Sequence, residues 1–89
     1  MKYAKKFIVE AVIFNGYDKP YFSEMPTWLE DEIGSKLRFY DKKFGYLGIE
    51  TIEGKIYIKP GDYIIRGARG ELYGCDAEIF KETYEKVEG

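Results

Sequence analysis

Apolar and polar positions alternate through the second half of the chain. Ile49-Glu50-Thr51-Ile52 and Lys55-Ile56-Tyr57-Ile58 are β-rich runs separated by Glu53-Gly54, and a two-residue loop ending in glycine is a hairpin signal, because glycine takes a positive φ without a Cβ clash. A loop at Glu53-Gly54 sets Ile52 opposite Lys55, Thr51 opposite Ile56, Glu50 opposite Tyr57 and Ile49 opposite Ile58. Opposed residues share a face, so Ile49, Thr51, Ile56 and Ile58 sort to one side and Glu50, Tyr57 and the lysines to the other. Pro60-Gly61 fits a type II turn, with proline pre-setting φ at the first central position and glycine taking the positive φ at the second. A second hairpin follows, from residues 63–66 and 70–75. A tight loop at Ala68-Arg69 pairs Gly67 with Gly70, Arg66 with Glu71, Ile65 with Leu72 and Ile64 with Tyr73. Asp76 is placed to cap a closing helix, in which Ile79, Phe80, Thr83, Tyr84 and Val87 recur at helical spacing and face the sheet. The pattern leaves open whether that helix continues to Val87 or stops near Thr83 with residues 84–87 extended.

The first half is less regular. Residues 1–6 are a basic lead-in. Residues 7–14 are apolar on both faces, Glu10 excepted, which predicts a central strand covered on both sides. Asn15-Gly16 signals a turn, and residues 17–22 read as a loop or short edge strand whose pairing Pro20 limits. Met25, Trp28, Leu29 and Ile33 fall on one helical face, predicting a short helix over 26–33 that packs Trp28 into the core and stops at Gly34. Residues 37–40 read as a strand, Asp41-Lys42-Lys43 as a turn, and residues 44–49 as the lead into the first hairpin. The whole is a single α+β domain over residues 1–89: a curved, mostly antiparallel sheet of about five strands with two short helices.

Composition narrows the function. Hydrophobic residues make up 45% and charged residues 34% of the 89, a globular balance. Nine tyrosines, six phenylalanines and one tryptophan exceed what so small a core needs, so several polar-tipped rings reach the surface. A net charge of −2 argues against affinity built on many phosphate contacts. No apolar run approaches the ~18 residues of a membrane span. The lone Cys75 has no internal disulfide partner, and with no signal peptide a cytoplasmic location is expected.

Candidate chemistry points to binding. The chain has no histidine, which excludes histidine-based triads and metal sites, and no cofactor is implied. Cys75 reads as inert packing at a strand end, and Glu30-Asp31-Glu32 as acids complementing a helix amino terminus. Gly67-Ala68-Arg69-Gly70 opens no helix and lacks the lysine of a phosphate-binding loop; it reads as a hairpin turn beside an Arg66–Glu71 pair, or as an arginine-bearing tip for a partner or small anionic ligand. Tyr63, Arg66, Arg69, Glu71 and Tyr73 are therefore the candidate contact residues. Lys43-Phe44-Gly45-Tyr46-Leu47-Gly48-Ile49 looks like the aromatic strand with which cold-shock and RRM domains stack on bases. That makes Phe44, Tyr46 and Tyr57, with Lys42, Lys43 and Lys59, an alternative single-stranded nucleic-acid site.

One family resemblance is visible. The run Pro60-Gly61-Asp62-Tyr63-Ile64-Ile65-Arg66-Gly67, then Gly70-Glu71-Leu72-Tyr73, Cys75, Ile79-Phe80 and Thr83-Tyr84-Glu85, resembles a signature of small uncharacterised phage and prophage proteins. It covers about the last third of the chain; the strand ending at Gly16 is similar, and Gly74 stands where such proteins often carry proline. The resemblance implies a phage origin and a size class, and carries no activity. Together with the absence of catalytic side chains and the aromatic excess, it points to a binding protein acting on a host protein, such as a host-defence factor, or sequestering a small ligand. A homo-oligomeric virion or assembly component, built through unspent strand edges, is the other reading.

Overall fold

The computed structural model describes residues 1–3, 8–39 and 45–87. The chain forms β1 (Glu10–Ile13), α1 (Thr27–Glu32), β2 (Leu37–Phe39), β3 (Leu47–Thr51), β4 (Gly54–Ile58), β5 (Tyr63–Arg66), β6 (Leu72–Cys75) and α2 (Ala77–Thr83). The fold is α+β, but the expected single sheet of about five strands is replaced by two three-stranded antiparallel sheets, ordered β1-β5-β6 and β2-β3-β4. The two sheets pack face to face. Their facing side chains, with Phe14, Phe22 and Leu29, form the core: Val12, Ile64 and Leu72 from one sheet, Leu37, Leu47, Ile49 and Ile58 from the other.

Pro60-Gly61 makes the corner between the sheets. The Asp62 N–H donates to the Lys59 carbonyl at 3.0 Å and Gly61 has φ +94°, the geometry of a type II turn. The same turn is tied to the first sheet, since the Gly61 N–H donates to the Phe14 carbonyl at 2.7 Å. Gly74 lets the sheets close on each other. A Cβ there would overlap Ile58 Cδ1 and lie 2.9 Å from Ile56 Cδ1.

Both hairpins keep their strands but change register. In the first, Thr51 pairs with Gly54, Ile49 with Ile56 and Leu47 with Ile58, so the loop is Ile52-Glu53 instead of Glu53-Gly54. Thr51 Oγ1 accepts from the Glu53 N–H and donates to the Gly54 carbonyl, and Gly54 takes φ +116° directly after the turn. The displacement is two residues and side chains repeat every two, so the predicted sorting of faces survives.

In the second hairpin Ile65 pairs with Tyr73 and Arg66 with Leu72, a one-residue displacement that removes the expected Arg66–Glu71 pair. The reason is Gly70, whose φ of +82° supplies the left-handed third position of an Ala68-Arg69-Gly70 loop. The Gly67 N–H donates to the Glu71 carbonyl at 2.8 Å and the Gly70 N–H to the Gly67 carbonyl at 3.0 Å.

Other expectations need correction. The first strand is an edge, not the centre: among the described strands β1 pairs with β5 alone, and Ile8 is exposed. Its two apolar faces are explained by the second sheet on one side and Tyr63 and α2 on the other. In α1 the residue sealed into the core is Leu29; Trp28 is half-buried at its margin and Met25 is exposed. Asp76 caps α2 as predicted, its Oδ1 accepting from the Glu78 and Ile79 N–H groups at 2.9 and 3.3 Å. The helix ends at Thr83 and Tyr84 is extended (φ −118°, ψ 151°). Ile79, Thr83 and Val87, expected to face the sheet, are exposed. Phe7, Tyr40, the Asp41-Lys42-Lys43 turn and Phe44 lie outside the described residues.

The aromatic excess is now placed. Phe14, Tyr17, Phe22, Tyr21 and Phe39 form a chain of edge-on and tilted contacts with centroids 5.5–6.0 Å apart. The Tyr17 hydroxyl donates to the Tyr46 carbonyl at 2.7 Å, satisfying its polar tip.

Candidate binding groove between β1 and α2

Hydrogen-bond alternation along β1 decides which of its backbone groups are available. The Phe14 N–H donates to the Asp62 carbonyl, and Val12 and Glu10 stand opposite Ile64 and Arg66. In an antiparallel pair every second residue exchanges hydrogen bonds with its neighbour. Phe14, Val12 and Glu10 therefore point their backbone groups at β5, while Ala11 and Ile13 point theirs away. Ile13 is covered: its N–H donates to Ser23 Oγ at 2.9 Å and its carbonyl accepts from the Ser23 N–H at 3.0 Å. Among the described residues nothing meets the outward N–H and C=O of Ala11.

A groove of about 550 Å3 runs along this open edge, lined on the strand side by Ile8, Val9, Ala11 and Ile13 and on the other by Tyr84, Glu85 and Val87. Its size falls in the range of ligand sites, ~300–1,000 Å3. Between these walls three rings are layered. Tyr63 and Phe80 stack with centroids 3.7 Å apart and planes 8° from parallel, and Tyr84 continues the stack at 4.8 Å and 24°. The helix cap and the corner turn build this arrangement: Asp76 starts α2 so that Phe80 lands on Tyr63, and the chain leaving the helix carries Tyr84 beyond it. Glu24, Glu85 and Lys86 also line the groove.

The structure divides the five candidate contact residues. Tyr63 is half-buried in the groove. Tyr73 and Glu71 share its face of the sheet, where Tyr73 is 38% exposed and Glu71 Oε1 lies 3.4 Å from the Arg69 N–H. Arg69 is exposed at the loop tip. Arg66, three residues from Tyr63 on the same strand, lies on the opposite face, and the one-residue displacement has taken Glu71 and Tyr73 off that face; it stands beside a small cleft of about 160 Å3 that it shares with Trp28, Asp31, Glu32, Gly70 and Leu72. In that cleft the Trp28 Nε1 has no partner among the described residues, and Glu32 Oε2 lies 3.6 Å from Lys36 Nζ. The five do not form one surface. Sequence reasoning missed the groove's two other rings as contacts; the i, i+4 spacing of Phe80 and Tyr84 was the signal, and it was assigned to core packing.

Cys75 is half-buried. Burial raises its thiol pKa, and the carboxylates of Asp76 and Asp62 raise it further, the opposite of an activated nucleophile. Among the described residues no group of histidine, cysteine or acidic side chains is arranged to hold a metal ion, and no helix is long and apolar enough to cross a membrane.

No family model, no curated protein and no solved structure matches this chain.

Proposed function

We propose that this chain is a small non-enzymatic binding protein whose contact surface is the groove between β1 and the segment following α2. The observation that carries the reading is the layered Tyr63–Phe80–Tyr84 stack beside a strand edge that is unpaired at Ala11 among the described residues. Aromatic side chains concentrate contact area at low conformational cost, which suits them to anchoring a partner. The resemblance to phage and prophage proteins supports a host factor, including a component of host defence, as the partner class. Affinity capture from host lysate with the wild-type chain and with Phe80→Ala tests it. A partner retained by the first and lost by the second is expected, with Arg69→Ala behaving as wild type. Equal recovery on Phe80→Ala would remove the groove from the account.

A second reading rests on its own observation. On the outer face of the β2-β3-β4 sheet, Arg38, Gly48 and Tyr57 stand in one cross-strand row. Tyr57 and Tyr46 are 58% and 42% exposed, their rings 6.4 Å apart, with Lys59 exposed on the same side of the chain. Rings next to cations are what base stacking on a single strand uses. Binding of an oligothymidylate at low salt, abolished by Tyr57→Ala, is the expected result; no retention at low salt would exclude it.

A further inference from the structure

We infer that the groove accepts an extended segment of a partner protein, added as a strand to the open edge of β1 and carrying a lysine or arginine beside its apolar residues. The inference rests on the groove reading above and names what fills it. Three observations converge on a strand. Among the described residues the edge is unpaired at Ala11 but closed one pair further on, where Ser23 already bonds Ile13 on the same side in the manner of a neighbouring strand; an incoming segment would continue that line. Ala11 and Ile13 share the sheet face on which Tyr63 lies, so alternate side chains of an added strand would point towards the Tyr63–Phe80 stack, while those between would point to the other face. The groove is lined by this edge on one side and by Tyr84, itself extended, with the residues that follow it on the other.

Charge selects the segment. Among the described residues, two carboxylates, Glu24 and Glu85, and one ammonium, Lys86, line the groove. A cation arriving there meets carboxylates and the faces of Tyr63, Phe80 and Tyr84, a combination that attracts guanidinium and ammonium groups.

Selection of an unbiased library of eight-residue peptides on the full chain tests the inference. The expected winners alternate apolar and polar residues and carry lysine or arginine. Methylating the backbone nitrogens of a winner at alternate positions, in one phase and then the other, should weaken it about tenfold or more in one phase only. This probe leaves the protein untouched. Ala11→Pro, which removes the outward N–H, should weaken binding to the same degree, and Glu85→Lys should remove the preference for basic residues. Winners with helical spacing, winners enriched in acidic residues, or indifference to methylation in both phases would overturn the inference. Dependence on Phe80 without dependence on backbone methylation would likewise overturn strand addition while leaving the groove as the contact surface. A dimer by light scattering whose formation protects the Ala11 amide would overturn it in favour of self-pairing.

Discussion

Replacing Gly74 with alanine tests how the two sheets meet. Gly74 lies in β6 with no positive φ, so its backbone accepts alanine, and in a strand interior glycine is the weaker residue by about 0.5–1 kcal/mol. If nothing stood in the way, Gly74→Ala would stabilise. The new methyl, however, would overlap Ile58 Cδ1 and approach Ile56 Cδ1 at 2.9 Å. Ile58 is 3% exposed, so its end has little room to swing, and overpacking of this kind costs about 1–3 kcal/mol. The net expectation is a loss of about 1–2 kcal/mol, which in a domain of this size lowers Tm by about 4–8 °C per kcal/mol. Ile58→Val deletes the obstructing Cδ1 and alone should cost about 1 kcal/mol. The double variant should be no less stable than Ile58→Val by itself, because the alanine methyl then fills the space that Cδ1 left. Urea unfolding of the four proteins, with unchanged m-values, measures the coupling. Additive costs within about 0.5 kcal/mol, or a Gly74→Ala variant more stable than wild type, would refute the packing of β6 on β4.

Gly70→Ala should destabilise by about 1–2 kcal/mol, the cost of a left-handed side chain at φ +82°, whereas the register with a two-residue Ala68-Arg69 loop predicts a gain; thermal unfolding separates them. Asp76→Ala should cost about 1 kcal/mol through loss of the bonds to the Glu78 and Ile79 N–H groups, while Asp76→Asn keeps most of the cap. Iodoacetamide should modify Cys75 in the folded protein more slowly than free cysteine at about pH 8.5. Because the folded-state thiol pKa is raised, the associated stability is whole below the unfolded thiol pKa and is lost as pH climbs through the folded value. A rate equal to that of free cysteine would show the thiol unburied and unopposed.

What was legible in the sequence is what neighbours in the chain decide. Pro60-Gly61 and Asp76 act within three residues of themselves, and both did what their chemistry dictates. The face on which Ile49, Thr51, Ile56 and Ile58 lie survived a wrong loop because that error was two residues, one full side-chain period. The second hairpin shows the converse. A glycine on each side of Ala68-Arg69 allowed a two-residue or a three-residue loop, and the choice, made by the positive φ of Gly70, moved Glu71 and Tyr73 off the face of Arg66; Tyr63 and Arg66, three apart on one strand, face opposite ways in either register. The position of β1 was not legible either. Residues apolar on both faces suit a central strand, and they suit an edge strand equally when a second sheet covers one face and an aromatic stack the other. The separation into two sheets depends on Gly74 meeting Ile58 across the core, a contact between residues whose patterns carry no mark of each other.

The open edge of β1 is the claim on which the groove depends, and amide hydrogen exchange in the isolated protein tests it residue by residue. Val12 and Phe14, bonded to β5, should exchange slowly, Ile13, held by Ser23 Oγ, at an intermediate rate, and Ala11 as fast as an exposed loop amide. Protection of Ala11 equal to that of Val12 would mean that the edge is already occupied and would contradict the account.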